Sequence, residues 1–453
     1  MGRKKVGSST EDVQQDNSTP QEEITTAATG RRRFIAPMQK TKTLSKEQKQ
    51  ASRSAIFESL LEVNRQKFGA DKVLSTADEM DQLIVGVPAP SLAFEYLIMN
   101  DVFPLKTLLM IAGTWGSCKT SLAIEFFRWI RMADGFCAFI NTEQKFDSDL
   151  AYGILRETPQ DQPFFYLSAD SVESYQTMLT YSLKAYKKIP NAEYIPGIFV
   201  IDSLASATSE SSHEKIEKDG HASRNFALHA SLNKDYISKL KNDYAQWPIS
   251  IVYINHLKQG PPDHMGRSKK YTLGGQAVNY HESFEIHSEI KKKNITCTAY
   301  TGTQLELTCA KNSYGRTGNK IPARFLHTMV DVGNGQVQEV HYWDWNWSIV
   351  MLLYNLIKVA NSPYASFNRS RLLERNIKID MDSTSMESTS AKAWFPLIGI
   401  NKSDALPISE LGRLIHENEQ VCDLIREALN IKRRITFSGS MTDHIEEFKE
   451  HVE

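Results

Sequence analysis

Residues Gly113, Thr114, Trp115, Gly116, Ser117, Cys118, Lys119, Thr120 and Ser121 combine glycine, lysine and hydroxyl groups in an order suited to phosphate. The stretch follows an apolar run at 107–112 and opens a helix expected over 119–132. In that setting backbone N–H groups and the helix N-terminus cradle a polyphosphate. Lys119 then neutralises phosphate charge, and Thr120 reaches Mg²⁺. Cys118 stands where the G-x-x-x-x-G-K-[ST] pattern has its last glycine.

Three further positions fit the same chemistry. Asp202 ends the apolar run 198–202, where a strand-end carboxylate orders the Mg²⁺ shell. Glu143 lies just past the run 136–141, where a carboxylate polarises an attacking water. His256, after Asn255, ends the run 249–255 and is placed to sense the terminal phosphate.

The elements that must position these groups read as alternating strands and helices. Continuous apolar runs separated by helical segments predict an α/β fold, with a mostly parallel central sheet covered on both faces. Segments 284–288 and 304–309 read as further strands of an antiparallel or mixed edge. Trp343, Trp345 and Trp347 alternate with polar residues and read as a strand with its aromatics packed in the core. Residues 378–392 read as a loop, Ser409 as the cap of a helix, and Asn418 as a break in it. Lys291, Lys292 and Lys293 read as a solvated hairpin end.

Composition excludes several classes. With 453 residues the chain needs no disulfide staple, and its net charge of −1 excludes a generally basic nucleic-acid binder. The five cysteines form no C-x-x-C pair, which argues against a zinc site and fits a reducing compartment. No apolar run reaches membrane-spanning length, and the N-terminus lacks a signal-peptide core, so the expectation is a cytoplasmic protein with no membrane partner. Residues 1–43 read as a disordered tail, 44–80 as a segment that opens with a helix, 81–345 as the core, and 346–453 as a small C-terminal α/β domain.

The segments "VNRQKFGADKVLSTADEM", "FINTEQKFD", "VIDSLAS", "YINHLKQG", "YTLGGQAV" and "CAKNSYGRTGNK" resemble, in order and spacing, the RecA family of homologous recombinases. The resemblance runs from about 45 to 325 and more faintly beyond, and it implies that 44–80 form an oligomerisation helix and strand. It implies a RecA-like P-loop NTPase core using ATP and Mg²⁺. It gives Glu143 the catalytic role, Asp147 the adenine contact, and Lys311 a reach to the neighbouring protomer's nucleotide. His256 replaces the family's sensor glutamine, and Ser313 its second lysine, for which Arg316 is a candidate substitute. A bulky residue in place of the P-loop glycine resembles phage recombinases of the UvsX type, which implies a host cytoplasm.

Two polar loops would hold DNA. The first, about 209–224, supplies Arg224 together with Lys215, Lys218 and His221. The second, about 258–275, supplies Lys258, Arg267, Lys269, Lys270 and the paired Gly274 and Gly275, with Met265 as a wedge. The reading is an ATP-dependent recombinase that forms a helical homo-oligomeric filament on single-stranded DNA and pairs it with double-stranded DNA. A loader or single-strand-binding protein is a further expected partner. The alternatives are a hexameric replicative helicase and a low-turnover mediator that binds DNA.

Overall fold

The computed structural model describes residues 84–437 apart from 157–163, 208, 210–225, 245, 263, 266–267, 273–279, 297–299, 334–335, 359–362 and 383–390, together with scattered helical positions between 51 and 67. The latter belong to a separate unit, residues 1–68. The strand expected within 44–80, the N-terminal tail and, apart from Ser209, the first DNA loop lie outside the described residues.

Strands β1 (Val85–Pro88) and β2 (Val102–Pro104) flank helix α1 (Leu92–Ile98). The central sheet begins with β3 (Leu108–Gly113), which leads through the glycine-bearing turn into α2 (Lys119–Met132). It continues with β4 (Phe136–Asn141), α3 (Ser148–Leu155), β5 (Phe165–Ser168), α4 (Val172–Tyr186), β6 (Gly197–Asp202) and α5 (Phe226–Tyr244). Then come β7 (Ile249–Pro262), β8 (Ser268–Thr272), β9 (Phe284–Thr296), β10 (Thr301–Asn312), β11 (Lys320–Gly333) and β12 (Gln336–Trp343). Their order is β12-β11-β10-β9-β3-β7-β6-β4-β5, with β8 paired to β7. The stretch from β9 through β3 to β5 is parallel; β9 to β12 are antiparallel.

The central parallel strands β3, β4 and β6 and the first half of β7 are mostly apolar because both faces are covered. One face packs on α1, α2 and α3, the other on α4 and α5, giving two hydrophobic clusters. The α/β architecture with helices on both faces matches the expectation. The antiparallel half is longer than expected. Its strands alternate buried and partly exposed residues, so their polar positions mask them in sequence.

Four helices complete the chain: α6 (Trp345–Lys358), α7 (Pro363–Glu374), α8 (Ile408–Glu417) and α9 (Glu419–Leu429). Short strands β13 (Asp380–Met381), β14 (Lys392–Trp394) and β15 (Leu406–Pro407) form a small sheet. The ends of the segment read as a loop are therefore strands. β16 (Ile435–Thr436) pairs with β1 and closes a three-stranded sheet with β2. Among the described residues no helix is long and apolar enough to cross a membrane.

The tryptophan reading needs correction. Trp343 ends β12, but Trp345 and Trp347 open α6. The side chain of Asp344 accepts from Trp347 N at 3.0 Å, which is how a helix start is capped. All three rings are buried, as expected. Ser409 is not a cap either. Pro407 precedes α8, and Ser409 Oγ instead donates to Asp344 Oδ2 at 2.7 Å. The break at Asn418 is real, and its side chain caps α9. Lys291–Lys293 lie within β9, not at a hairpin end.

Candidate nucleotide site

Parallel pairing brings the carboxyl ends of β3, β4, β6 and β7 together. Gly113 pairs with His256, Asn141 with Asp202, and Asp202 with Ile254. The P-loop residues, Asp202, Glu143 and His256 therefore converge on one crevice, the position where open α/β sheets bind ligands.

The loop is braced from within and from β9. Ser117 Oγ donates to the Thr114 carbonyl at 2.8 Å, and Ser288 Oγ donates to the Ser117 carbonyl at 2.7 Å. Gly113 must be glycine, because a Cβ there would lie 2.3 Å from Ser117 Oγ and 2.6 Å from the Ser288 carbonyl. Cys118 holds φ +53°, the left-handed region that glycine adopts without strain. Burial pushes its thiol up to about 12, so it is no thiolate nucleophile. Trp115 is 81% exposed, with Lys293 Nζ 5.9 Å from its ring centroid. Ser121 is buried, and its carbonyl accepts from Trp343 Nε1 at 3.2 Å.

Lys119 is buried, and its Nζ donates to the Thr114 carbonyl at 2.8 Å. Burial lowers its pKa, with Asp202 and Glu143 opposing. Thr120 Oγ1 donates to Asp202 Oδ2 at 2.6 Å. Burial pushes Asp202 up to about 6, the Thr120 bond opposing and nearby Glu143 adding to the rise. A buried carboxylate beside a hydroxyl, short of positive charge, is a donor set that fits Mg²⁺.

Glu143 Oε1 accepts from Ser203 Oγ and Ser206 Oγ, both at 2.8 Å, and lies 3.0 Å from His256 Nε2. The His256 hydrogen bond is the largest influence. With the two serines it holds Glu143 down to about 2, against burial. The turn is fixed in detail: Glu143 N donates to Asn141 Oδ1 at 3.0 Å, Asn141 Nδ2 donates to the Tyr166 hydroxyl at 2.7 Å, and Thr142 Oγ1 donates to the Ser203 carbonyl at 2.8 Å. Sequence reading missed Asn141, Ser203 and Ser206. Their only signal was polarity at the ends of two apolar runs.

Asp147 and Lys311 make other contacts. Asp147 caps α3, accepting from Leu150 N at 3.0 Å, a helical-cap task separate from its expected adenine contact. Lys311 is not brought to this crevice. It pairs with Glu285, which itself pairs with Met110, nearer the start of β3 than its phosphate end. Burial lowers the Lys311 pKa, with Glu282 and Glu285 opposing.

Part of the second loop is regular structure. β7 runs on past His256 and turns back as β8, pairing Lys258 with Tyr271 and Gln259 with Lys270. Lys258 is exposed. Lys269 and Lys270 lie on β8, and Met265, near the tip, is 64% exposed. Arg224, Arg267, Gly274 and Gly275 lie outside the described residues.

The profile of the family described as RecA N-terminal domain matches residues 54–317. Protein RecA of Lactobacillus delbrueckii subsp. bulgaricus is 22% identical over 284 residues, covering 63% of this chain and 79% of that protein. Protein RecA of Rubrobacter xylanophilus is 22% identical over 303 residues, 64% of this chain and 82% of the relative. Protein RecA of Enterococcus faecium is 21% identical over 369 residues, 80% and 97% respectively.

Proposed function

The chain belongs to the RecA family, and on that premise we propose that it is an ATP-dependent DNA recombinase. ATP binds at the P-loop, Lys119 turns from the Thr114 carbonyl to the phosphates, and Thr120 and Asp202 hold Mg²⁺. The ion, when bound, neutralises charge on the transferring phosphoryl group. Glu143 orients the attacking water. At a pKa near 2 it is a weak base, so positioning outweighs proton abstraction.

The observation that carries this reading is the continuity of β7. His256 touches Glu143, and two residues later the same strand presents Lys258 on the hairpin. A change in what Glu143 binds has a two-residue path to the proposed DNA-holding surface of Lys258, Lys269 and Lys270, with Arg224, Arg267, Gly274 and Gly275 as further contacts. Such contacts bind backbone phosphate and leave sequence recognition to base pairing.

The remaining assignments follow the family. Residues 44–80 join protomers into a filament, 81–345 form the ATPase core, 346–453 form a C-terminal domain, and 1–43 are a tail. Lys311 acts on the neighbour's nucleotide, Asp147 meets adenine, and the protein works in the cytoplasm with single- and double-stranded DNA.

The test is ATP hydrolysis with and without single-stranded DNA, with Lys119→Ala as control. Strong stimulation, lost in the variant, is expected. Negligible turnover with DNA binding intact would overturn the motor and favour a low-turnover mediator. Cys118 in the left-handed region is the observation on that second side.

A further inference from the structure

The antiparallel half of the sheet carries a polar cluster of its own. His327 on β11 pairs directly with His341 on β12, and Met329 with Glu339. Side chains alternate along a strand, so Glu339 and His341 share the face that carries His327. One ring nitrogen from each histidine and a carboxylate oxygen of Glu339 lie within 4.8 Å of one another. His341 Nε2 is 3.8 Å from Glu339 Oε1, and the two imidazole centroids are 5.7 Å apart.

The rings are held in place. Thr301 on β10 pairs with His327, and its hydroxyl hydrogen-bonds His327 Nε2. Partners of this kind orient metal-binding histidines. Phe325 stacks on His341 with centroids 6.1 Å apart. On the other element, α3 approaches so closely that a Cβ on Gly153 would lie 2.6 Å from His341 Cδ2. His341 Nδ1 is buried without a hydrogen-bond partner, so packing sets this ring's orientation.

We propose that His327, Glu339 and His341 form a site for one divalent transition-metal ion of the zinc type. Two imidazoles and one carboxylate suit Zn²⁺, Co²⁺ or Ni²⁺ and disfavour Mg²⁺, which prefers oxygen. Three protein ligands leave a position for water. The site shares no residue with the nucleotide crevice. Its ion would clip β12, an edge strand of the sheet, to β11.

The test uses the full chain, purified without a histidine tag and stripped of metal. Zn²⁺ is titrated against a chromophoric chelator, and Co²⁺ is added as a spectroscopic probe. One tight Zn²⁺ per chain is expected, with Co²⁺ ligand-field bands and no thiolate charge-transfer band. His327→Gln and Glu339→Gln, both at partly or fully exposed positions, should each weaken Zn²⁺ about tenfold or more with an unchanged circular dichroism spectrum. Equal affinity and stoichiometry in both variants would overturn the proposal. So would a thiolate band, which would assign the metal to cysteine, or a wild-type chain that binds no better than the double variant.

Discussion

Two buried carboxylates in this molecule are treated in opposite ways. Glu95, on α1, meets Arg426 of α9 through two hydrogen bonds of 2.8 Å. Burial lifts Glu95 above the usual carboxylate range and Arg426 opposes the rise; the paired short bonds mark an ion pair. Asp202, at the phosphate end of β6, receives a hydroxyl from Thr120 instead. The nearby Lys119 ammonium is spent on a carbonyl. The α1–α9 junction therefore gives its carboxylate a cation in direct hydrogen-bond contact, whereas the crevice carboxylate is hydrogen-bonded to a hydroxyl. The difference separates residues that hold the fold from residues that wait for a ligand.

The sharpest way to test this separation is at Glu143. Glu143→Gln keeps the shape and removes the charge proposed to orient water. ATP hydrolysis should fall about 10²–10⁴-fold, while Mg-ATP binding persists and the thermal midpoint moves little. Single-turnover kinetics beside calorimetric binding checks both halves. A variant that hydrolyses normally would remove Glu143 from the mechanism.

At the junction the opposite pattern is expected. Arg426→Ala leaves Glu95 buried without its partner, at a cost of about 3–5 kcal/mol. Denaturant unfolding should show that loss, while turnover per folded molecule stays near wild type. Asp202→Asn is the mirror image: the nucleotide-free protein should unfold no more easily, because a penalised charge is gone, but Mg-ATP should no longer stabilise it. If both variants lost stability equally, the contrast between the two carboxylates would fail.

Much of the crevice was legible because parallel strands announce themselves. Apolar runs covered on both faces have no polar interruptions, so the residue ending each run is a site position; Asp202 and His256 are found this way, and Glu143 lies one turn further on. The hydroxyls that hold Glu143 were not legible, because Ser203 and Ser206 look like ordinary loop residues until β4 and β6 are paired. The tryptophan error has a different cause. Alternation at 343, 345 and 347 mimics a strand, and the overriding signal was Asp344, a helix-capping residue in their midst. The His327–His341 row was invisible, since register between β11 and β12 is set by their packing and not by spacing along the chain.

The pH dependence of binding extends the comparison to a smaller effect. The Asp202 carboxyl titrates at 3.8 when unperturbed and about 6 in the fold. The fold therefore favours its protonated form; that stabilising contribution is whole below pH 3.8 and is lost as pH rises through 6. Mg²⁺ needs the ionised form. Affinity for Mg-ATP should be flat above pH 6 and weaken up to about tenfold per unit below it. Calorimetry from pH 5 to 8 measures this, and Asp202→Asn subtracts the nucleotide's own titration. Equal slopes in the two proteins would mean that Asp202 does not hold the ion.

The smallest expected effect is at Cys118. A non-glycine residue at φ +53° carries about 1–2 kcal/mol of steric cost, which Cys118→Gly would remove. Against this, glycine adds unfolded-state entropy of about 0.4–1 kcal/mol, and the half-buried thiol loses contacts with the core. The terms nearly cancel, so the thermal midpoint should move by no more than about 2–4 °C. Cys118→Val gains nothing on the entropy side and adds a branched side chain in the left-handed region, so it should be the less stable of the two. With stability matched, any change in ATP turnover on going to glycine reports how the loop's N–H groups meet phosphate. A large gain would identify the cysteine as a brake on hydrolysis. Unchanged turnover would mean that the braces from Ser117 and Ser288 already hold the loop in its working shape.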